Sequence, residues 1–189
     1  MKHVFEAAAD ITRFIEAQGW SYCIIGGLAV VRWGRARATV DVDVTLLSGF
    51  GKEEEFIDAL LRSYSPRRPD AREFALISRV LLLQTQGGVG LDVALAGFHF
   101  EERLIERATL YEFLPGLKLM TASGEDLIIT KAFAGRPRDW SDIEGVVLCQ
   151  TKSLDWELII SELSQLCDLL ESRESLDQLL QLRDQLTAE

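Results

Sequence analysis

Apolar residues near the start of the chain recur at helical spacing. Val4, Phe5, Ala8, Ile11, Phe14 and Ile15 share one face, which predicts a helix over Val4–Ala17 that Gly19 ends. The period then changes. "WSYCII" is a short β-rich run and predicts a strand, Gly26-Gly27 interrupts it, and "LAVVRWG" predicts a short helix closed by Gly34. "ATVDVDVTLL" alternates strictly: Val40, Val42 and Val44 on one face, Thr39, Asp41, Asp43 and Thr45 on the other. That is a strand with one polar face. "KEEEFIDALLRSY" returns to amphipathic helical spacing, and "SPRRPDAR" is a breaker-rich basic loop.

Further along, "ALISRVLLLQTQGGVGLDVALAG" predicts a β-hairpin turning near Gly87-Gly88, with Asp92 inside its second strand. "EERLIERA" predicts a helix and "GLKLMTA" a further strand. "SGEDLIITKAFAG" opens with Ser123 three residues before Asp126, a capping-box-like start, and ends at Gly135. A helix follows Pro137. Two amphipathic helices close the chain, one lined by Trp156, Ile159, Ile160, Leu163, Leu166 and Leu170, the other by Leu176, Leu179, Leu180 and Leu186, with Ser175 and Gln178 as a capping box between them. The order α-β-α-β-α-β-β followed by helices predicts an α+β protein, a mixed β-sheet with flanking helices and a C-terminal helical region. The expected division is an α/β core over 1–122 and a helical region over 123–189.

Composition narrows this picture. The 189 residues are 48% hydrophobic and 26% charged, which suits a globular chain able to bury a core. No apolar run approaches the ~20 residues of a membrane span, and "MKHVFEAAAD" carries acids where a signal peptide would not. Cys23, Cys149 and Cys167 lack metal-ligand or disulfide spacing and are expected as reduced, buried thiols in a cytoplasmic protein. The net charge of −10 excludes a general nucleic-acid binder. It is uneven, however: from Thr151 onward three basic residues face nine acids, whereas arginines cluster at 32–37 and 67–72. A local basic groove for a nucleic acid remains compatible with the charge.

Two features carry chemistry. Asp41 and Asp43, at i and i+2, share a strand face at roughly 7 Å separation along the backbone. Like charges so placed repel unless solvated, protonated or bound to a cation. Carboxylates on a rigid strand suit Mg²⁺, which takes a few acidic ligands together with substrate phosphates. Asp92 is the acid that a neighbouring strand could add. An Asp-x-Asp alone is common on solvated strand faces. The Gly26-Gly27 pair between a strand and a short helix adds a place where backbone N–H groups could approach phosphate.

Gly-Gly, a short helix, and then Arg37, Thr39, Asp41 and Asp43 in alternation resemble the signature of the DNA-polymerase-β-like nucleotidyltransferase superfamily. "GGLAVVRWGRARATVDVDV" is similar to the minimal bacterial members, among them the toxins of abortive-infection (type IV) toxin–antitoxin systems and relatives of the antibiotic nucleotidyltransferases. "EDLIITKAFAGRPRDWSDIEGV" adds to the toxin-like resemblance through a helix lysine, a basic break and later acids. The resemblance spans roughly Ile24 to Val147.

It implies a nucleotidyltransferase core in which Gly26 and Gly27 hold nucleotide phosphates. Asp41, Asp43 and Asp92 would be the catalytic carboxylates and ligands of Mg²⁺ or Mn²⁺. Arg37, Thr39 and Lys131 would contact the nucleotide, while Asp139 and Asp142 would support Lys131 or Arg136. One departure is Gly27, where the family often has serine. The implied reaction moves NMP from an NTP to a hydroxyl of RNA such as tRNA, of a protein or of a small molecule. An antitoxin or a second copy would be the protein partner. The alternative is a catalytically silent protein on the same fold, acting as a partner-binding or antitoxin-like module, or through its Leu-rich C-terminal helices.

Overall fold

The computed structural model describes residues 1–150 and 153–187. The chain divides into two compact units, Met1–Leu28 with Ala38–Ala122, and Ala29–Arg37 with Ser123–Glu189. In chain order, the first unit contains α1 (Lys2–Ala17), β1 (Tyr22–Ile24), the start of α2 (Gly26–Trp33), β2 (Asp41–Leu47), α3 (Glu53–Ser63), β3 (Ser65–Pro66), α4 (Ala71–Ser78), β4 (Val80–Gln84), β5 (Gly90–Ala96), α5 (His99–Glu106), β6 (Thr109–Leu114) and β7 (Leu117–Thr121).

The strands form one seven-stranded mixed sheet in the order β3-β4-β5-β2-β1-β7-β6. At its centre β2 runs parallel to β5, and β1 is antiparallel to β2. The pleat sorts side chains by parity. Val42, Val44 and Leu46 of β2 and Leu91, Val93 and Leu95 of β5 are buried in one core with Ile11 and Ile15 of α1, Ile57 and Leu60 of α3 and Ala75 of α4. The intervening residues of β2 and β5 take the opposite face of the sheet, and three of them are aspartates.

The second unit holds the rest of α2 and four helices among the described residues: α6 (Gly124–Ala134), α7 (Pro137–Gln150), α8 (Trp156–Leu169) and α9 (Glu174–Thr187). Helix α6 is central, in contact with α7, α8 and α9. Its Leu127, Ile128, Ile129 and Ala132 are buried on more than one side, as a helix surrounded by others requires. Ser123 caps it, its Oγ accepting from the Asp126 N–H at 3.0 Å, and Gly135 ends it in a left-handed conformation (φ 62°).

Several sequence expectations need correction. "SPRRPDAR" is not only a loop: Ser65–Pro66 forms β3, paired with β4, and α4 begins at Ala71. "ALIS" belongs to α4 rather than to the hairpin. That helix ends because Arg79 takes a left-handed conformation (φ 57°) and turns the chain into β4. The edge strand β6 escaped the pattern reading because its exposed side chains do not alternate; its pairing with β7 creates it. Val40 precedes β2 and is 76% exposed, so it does not join the apolar face of Val42 and Val44. Ser175 lies within the first turn of α9 instead of capping it. Cys149 is exposed, whereas Cys23 and Cys167 are buried. No described helix is long and apolar enough to cross a membrane.

Truncating Ile128, fully buried in α6, removes contacts on several sides of the second unit's core. Ile128→Ala is expected to cost about 2–5 kcal/mol in urea denaturation, and Leu169→Ala, at 71% exposure, less than about 0.5 kcal/mol.

Candidate active site

The parallel register pairs Asp43 with Asp92 and Asp41 with Gly90 across β2 and β5. Directly paired residues project to the same side of a sheet. Asp41 and Asp43 therefore share a face with Asp92, in the first unit, opposite the apolar core.

The β1–α2 junction lies against these acids. Gly26 has φ +56°, a conformation that favours glycine. A Cβ on it would fall 2.8 Å from Asp43 Cβ and overlap the carboxylate. A Cβ on Gly27 would stand 2.8 Å from Thr39 Cβ. Both glycines are thus required by close approach, and the Gly27 N–H donates to Asp43 Oδ2 at 3.3 Å. Thr39, 5% exposed, donates its hydroxyl towards Asp41 Oδ1 at 3.2 Å and the Asp41 carbonyl at 3.3 Å. The two strand carboxylates are in this way held by the backbone of one element and a hydroxyl just ahead of the strand.

Asp92 has a different partner. The guanidinium of Arg67, just past β3, forms an ion pair with its carboxylate. Burial pushes the Asp92 carboxyl upward, Arg67 pulls it down and the negative charge of Asp41 raises it again, leaving it above the ordinary carboxylate value. The charge of Arg67 does not offset the burial and the neighbouring acid.

Three carboxylates from two rigid strands are the donor chemistry of a Mg²⁺-class cation. Gly26 and Gly27 bring the α2 backbone against Asp43 and Thr39 on this face, and the Gly27 N–H is donated to Asp43. The carboxylates are not gathered around one point: among the described residues no group of three or more His, Cys, Asp or Glu side chains is placed to hold a metal ion. Asp92 is instead engaged by Arg67. The three acids match such an ion in donor chemistry and share one face, while the Asp92 carboxylate carries the Arg67 guanidinium.

Arg37 and Lys131 belong to the second unit. The alternation that grouped Arg37 with Asp41 and Asp43 is not carried by a strand, since β2 starts at Asp41. Arg37 instead grips Asp142 with both prongs, Nε to Oδ1 at 2.7 Å and Nη2 to Oδ2 at 2.8 Å. Lys131 Nζ, on α6, donates to Asp139 Oδ1 at 2.8 Å and lies 2.7 Å from Asp142 Oδ2. Arg136 Nε donates to Asp139 Oδ2 at 2.6 Å. Asp139, Asp142 and Lys131 are almost entirely buried. Burial pushes both carboxyls upward, but the hydrogen bonds of Arg136 and Lys131 on Asp139, and of Arg37 and Lys131 on Asp142, outweigh it and hold both below the usual range.

The residue that sequence reasoning missed in the carboxylate face is Arg67. Its signal was present but indirect: a basic residue after a Ser-Pro break, ahead of a hairpin whose second strand opens with Gly90 two residues before Asp92.

The mixed sheet with flanking helices thus carries paired aspartates on a central strand, with Gly26 and Gly27 beside them. The chain belongs to the family described as Nucleotidyltransferase of unknown function (DUF6036), which matches residues 2–185. Among solved structures it is similar to an antigenic nucleotidyltransferase-like protein from Paracoccidioides brasiliensis, with TM-score 0.57 and 15% identity over 100% of this chain and 98% of that one. It is also similar to the solution structure of the antibiotic-resistance factor ANT(2'')-Ia, with TM-score 0.50 and 21% identity over 93% of this chain and 92% of that one. These likenesses are of fold. No curated protein matches the chain.

The ion network generates a prediction. Because the folded values of Asp139 and Asp142 are depressed, their stabilisation is fully present above the unfolded carboxylate range and is lost as pH falls through the folded values. Asp139→Asn removes one of the two carboxylates that face the buried Lys131, leaving Asp142, and is expected to cost about 1–3 kcal/mol near neutral pH. The difference from wild type should shrink on acidification, as read from urea melts at a series of pH values.

Proposed function

We propose that the protein transfers NMP from an NTP to a hydroxyl acceptor with the help of Mg²⁺ or Mn²⁺, using Asp41, Asp43 and Asp92. The observation that carries this reading is the register of β2 against β5, which sets Asp43 beside Asp92 on the face where Gly26 and Gly27 approach. Membership of the nucleotidyltransferase family supports it.

In the proposed reaction the acceptor oxygen attacks the α-phosphorus in line. A bond forms between them, the bond from that phosphorus to the bridging oxygen breaks, and pyrophosphate leaves with that electron pair. The hydroxyl proton passes to Asp92, the carboxylate that the strand register sets beside Asp43. Asp41, Asp43 and Asp92 would hold the cation, and Thr39 would keep Asp41 in place. A bound divalent cation would neutralise charge on the attacking and leaving oxygens. For the Gly26-Gly27 backbone to bind phosphate, the Gly27 N–H would have to leave Asp43, since Asp43 and Thr39 pack against the two glycines. A phosphate contact by Lys131 or Arg37 would have to displace Asp139 and Asp142 from them. The acceptor is a hydroxyl of RNA such as tRNA, of a protein or of a small molecule, and a toxin–antitoxin role would follow from the first two.

The test incubates each of the four α-³²P-labelled NTPs with the protein, Mg²⁺, and either total RNA or a cell lysate. Label should move to one acceptor class in a metal-dependent way. Asp43→Asn should lower the rate by about 100-fold or more, the scale of removing several kcal/mol of transition-state stabilisation. Absence of transfer from all four nucleotides to RNA, protein and small molecules would favour the catalytically silent, partner-binding alternative.

A further inference from the structure

We propose that Arg67 is a displaceable counter-ion of Asp92, occupying this carboxylate in the metal-free protein and competing with a divalent cation for it. The inference rests on the reading of Asp41, Asp43 and Asp92 as cation ligands, and adds a residue that this reading does not contain.

Four observations point to Arg67. Its backbone is anchored: Pro66 pairs with Leu83 across β3 and β4, and the Arg67 N–H donates to the Leu82 carbonyl at 3.0 Å. Leu82 in turn pairs with Asp92, so the arginine starts from a fixed height along the sheet. Its guanidinium then lies over the start of β5, where a Cβ on Gly90 would be 3.2 Å from Nη1, 3.5 Å from Cζ and 3.6 Å from Asp41 Cβ. Glycine at 90 leaves room for a cation next to two of the three acids. The neighbouring arginine is engaged elsewhere, since Arg68 pairs with Asp70 and its Cζ lies 3.8 Å from the Phe74 ring centroid. Of these two consecutive arginines, only Arg67 is directed at the carboxylate face.

The pair is also built to exchange. The side chains of Arg67 and Asp92 are 33% and 31% exposed, so solvent and ions reach both. A single part-exposed ion pair is weakly held. A doubly charged ion that also engages Asp41 and Asp43 gains more from the same face than one guanidinium does. The arginine thus keeps a partly buried carboxylate compensated until the ion arrives, and sets the concentration at which the ion wins.

The experiment measures Mn²⁺ binding to the nucleotide-free, full-length protein by isothermal titration calorimetry, with folding followed by circular dichroism and thermal melts. Arg67→Gln should bind Mn²⁺ about fivefold more tightly than wild type, the scale of losing one weak competing pair. Its melting temperature without metal should be equal to or below that of wild type. Arg67→Lys keeps the charge without the fork and should tighten binding by about twofold, which keeps the question answerable if the glutamine variant folds poorly. In an Asp92→Asn background, Arg67→Gln should bring no gain. Equal or weaker Mn²⁺ binding by both folded Arg67 variants overturns the counter-ion role while leaving the cation site standing. A gain that persists with Asp92→Asn also overturns it, because the effect would then be the general field of a positive charge. Failure of every variant to bind Mn²⁺ overturns the cation site itself, and the counter-ion role with it.

Discussion

The side-by-side pairing of β2 with β5 is the constraint on which the first unit depends. In this register the same two strands supply Val42, Val44, Leu91 and Val93 to the core and Asp41, Asp43 and Asp92 to the opposite face. Neither arrangement is available alone, since the pleat assigns both at once. The apolar half supplies the stabilisation, and the acidic half is carried against its own repulsion. The local hydrogen bonds of Gly27 and Thr39 and the charge of Arg67 are the visible compensation for holding three carboxylates so close.

The second unit handles charge differently. Its ionic residues sit inside a helical core, and Lys131 survives there because Asp139 and Asp142 both face it. Arg37 and Arg136 then complete the acids from the outside. Such a network is costly to bury and costly to break, so its members act as a block. The consequence for function is that a lysine which looks available in the sequence is already engaged in the fold. The two units therefore present contrasting uses of aspartate: half-exposed and compensated from one side at Asp92, enclosed and compensated from several at Asp139 and Asp142.

Much of this was legible in the sequence where local period and tertiary demand agree. The alternation through Asp41 and Asp43 and the capped start at Ser123 appear where pattern places them, whereas Gly26 and Gly27, expected ahead of the short helix, are its first residues. Asp92 was legible because the hairpin strand has a clear parity. The rest was hidden for identifiable reasons. Strand β6 is a mostly exposed edge held by its pairing with β7 and by Phe113 packing on Phe5, and α4 borrows apolar residues that also suit a strand. The alternation that would put Arg37 on the acidic face extends beyond the strand that sustains it, and Arg37 pairs with Asp142. Arg67 depends on a contact between residues 25 positions apart, and no local period encodes that.

The pairing of β2 and β5 also sets what kind of change the chain can absorb during its history. At the exposed turn before β5, Gln86 can be exchanged at a small energetic cost, whereas Gly88 (φ 78°) favours glycine. Inserting one residue between Gly90 and Asp92 is different in nature. It would rotate every later position of β5 by half a pleat, sending Asp92 towards the core and Leu91 or Val93 towards the acids, unless a bulge absorbed it. Along this strand the number of residues therefore constrains core and acidic face together, as strictly as the identities of Leu91, Asp92 and Val93 do.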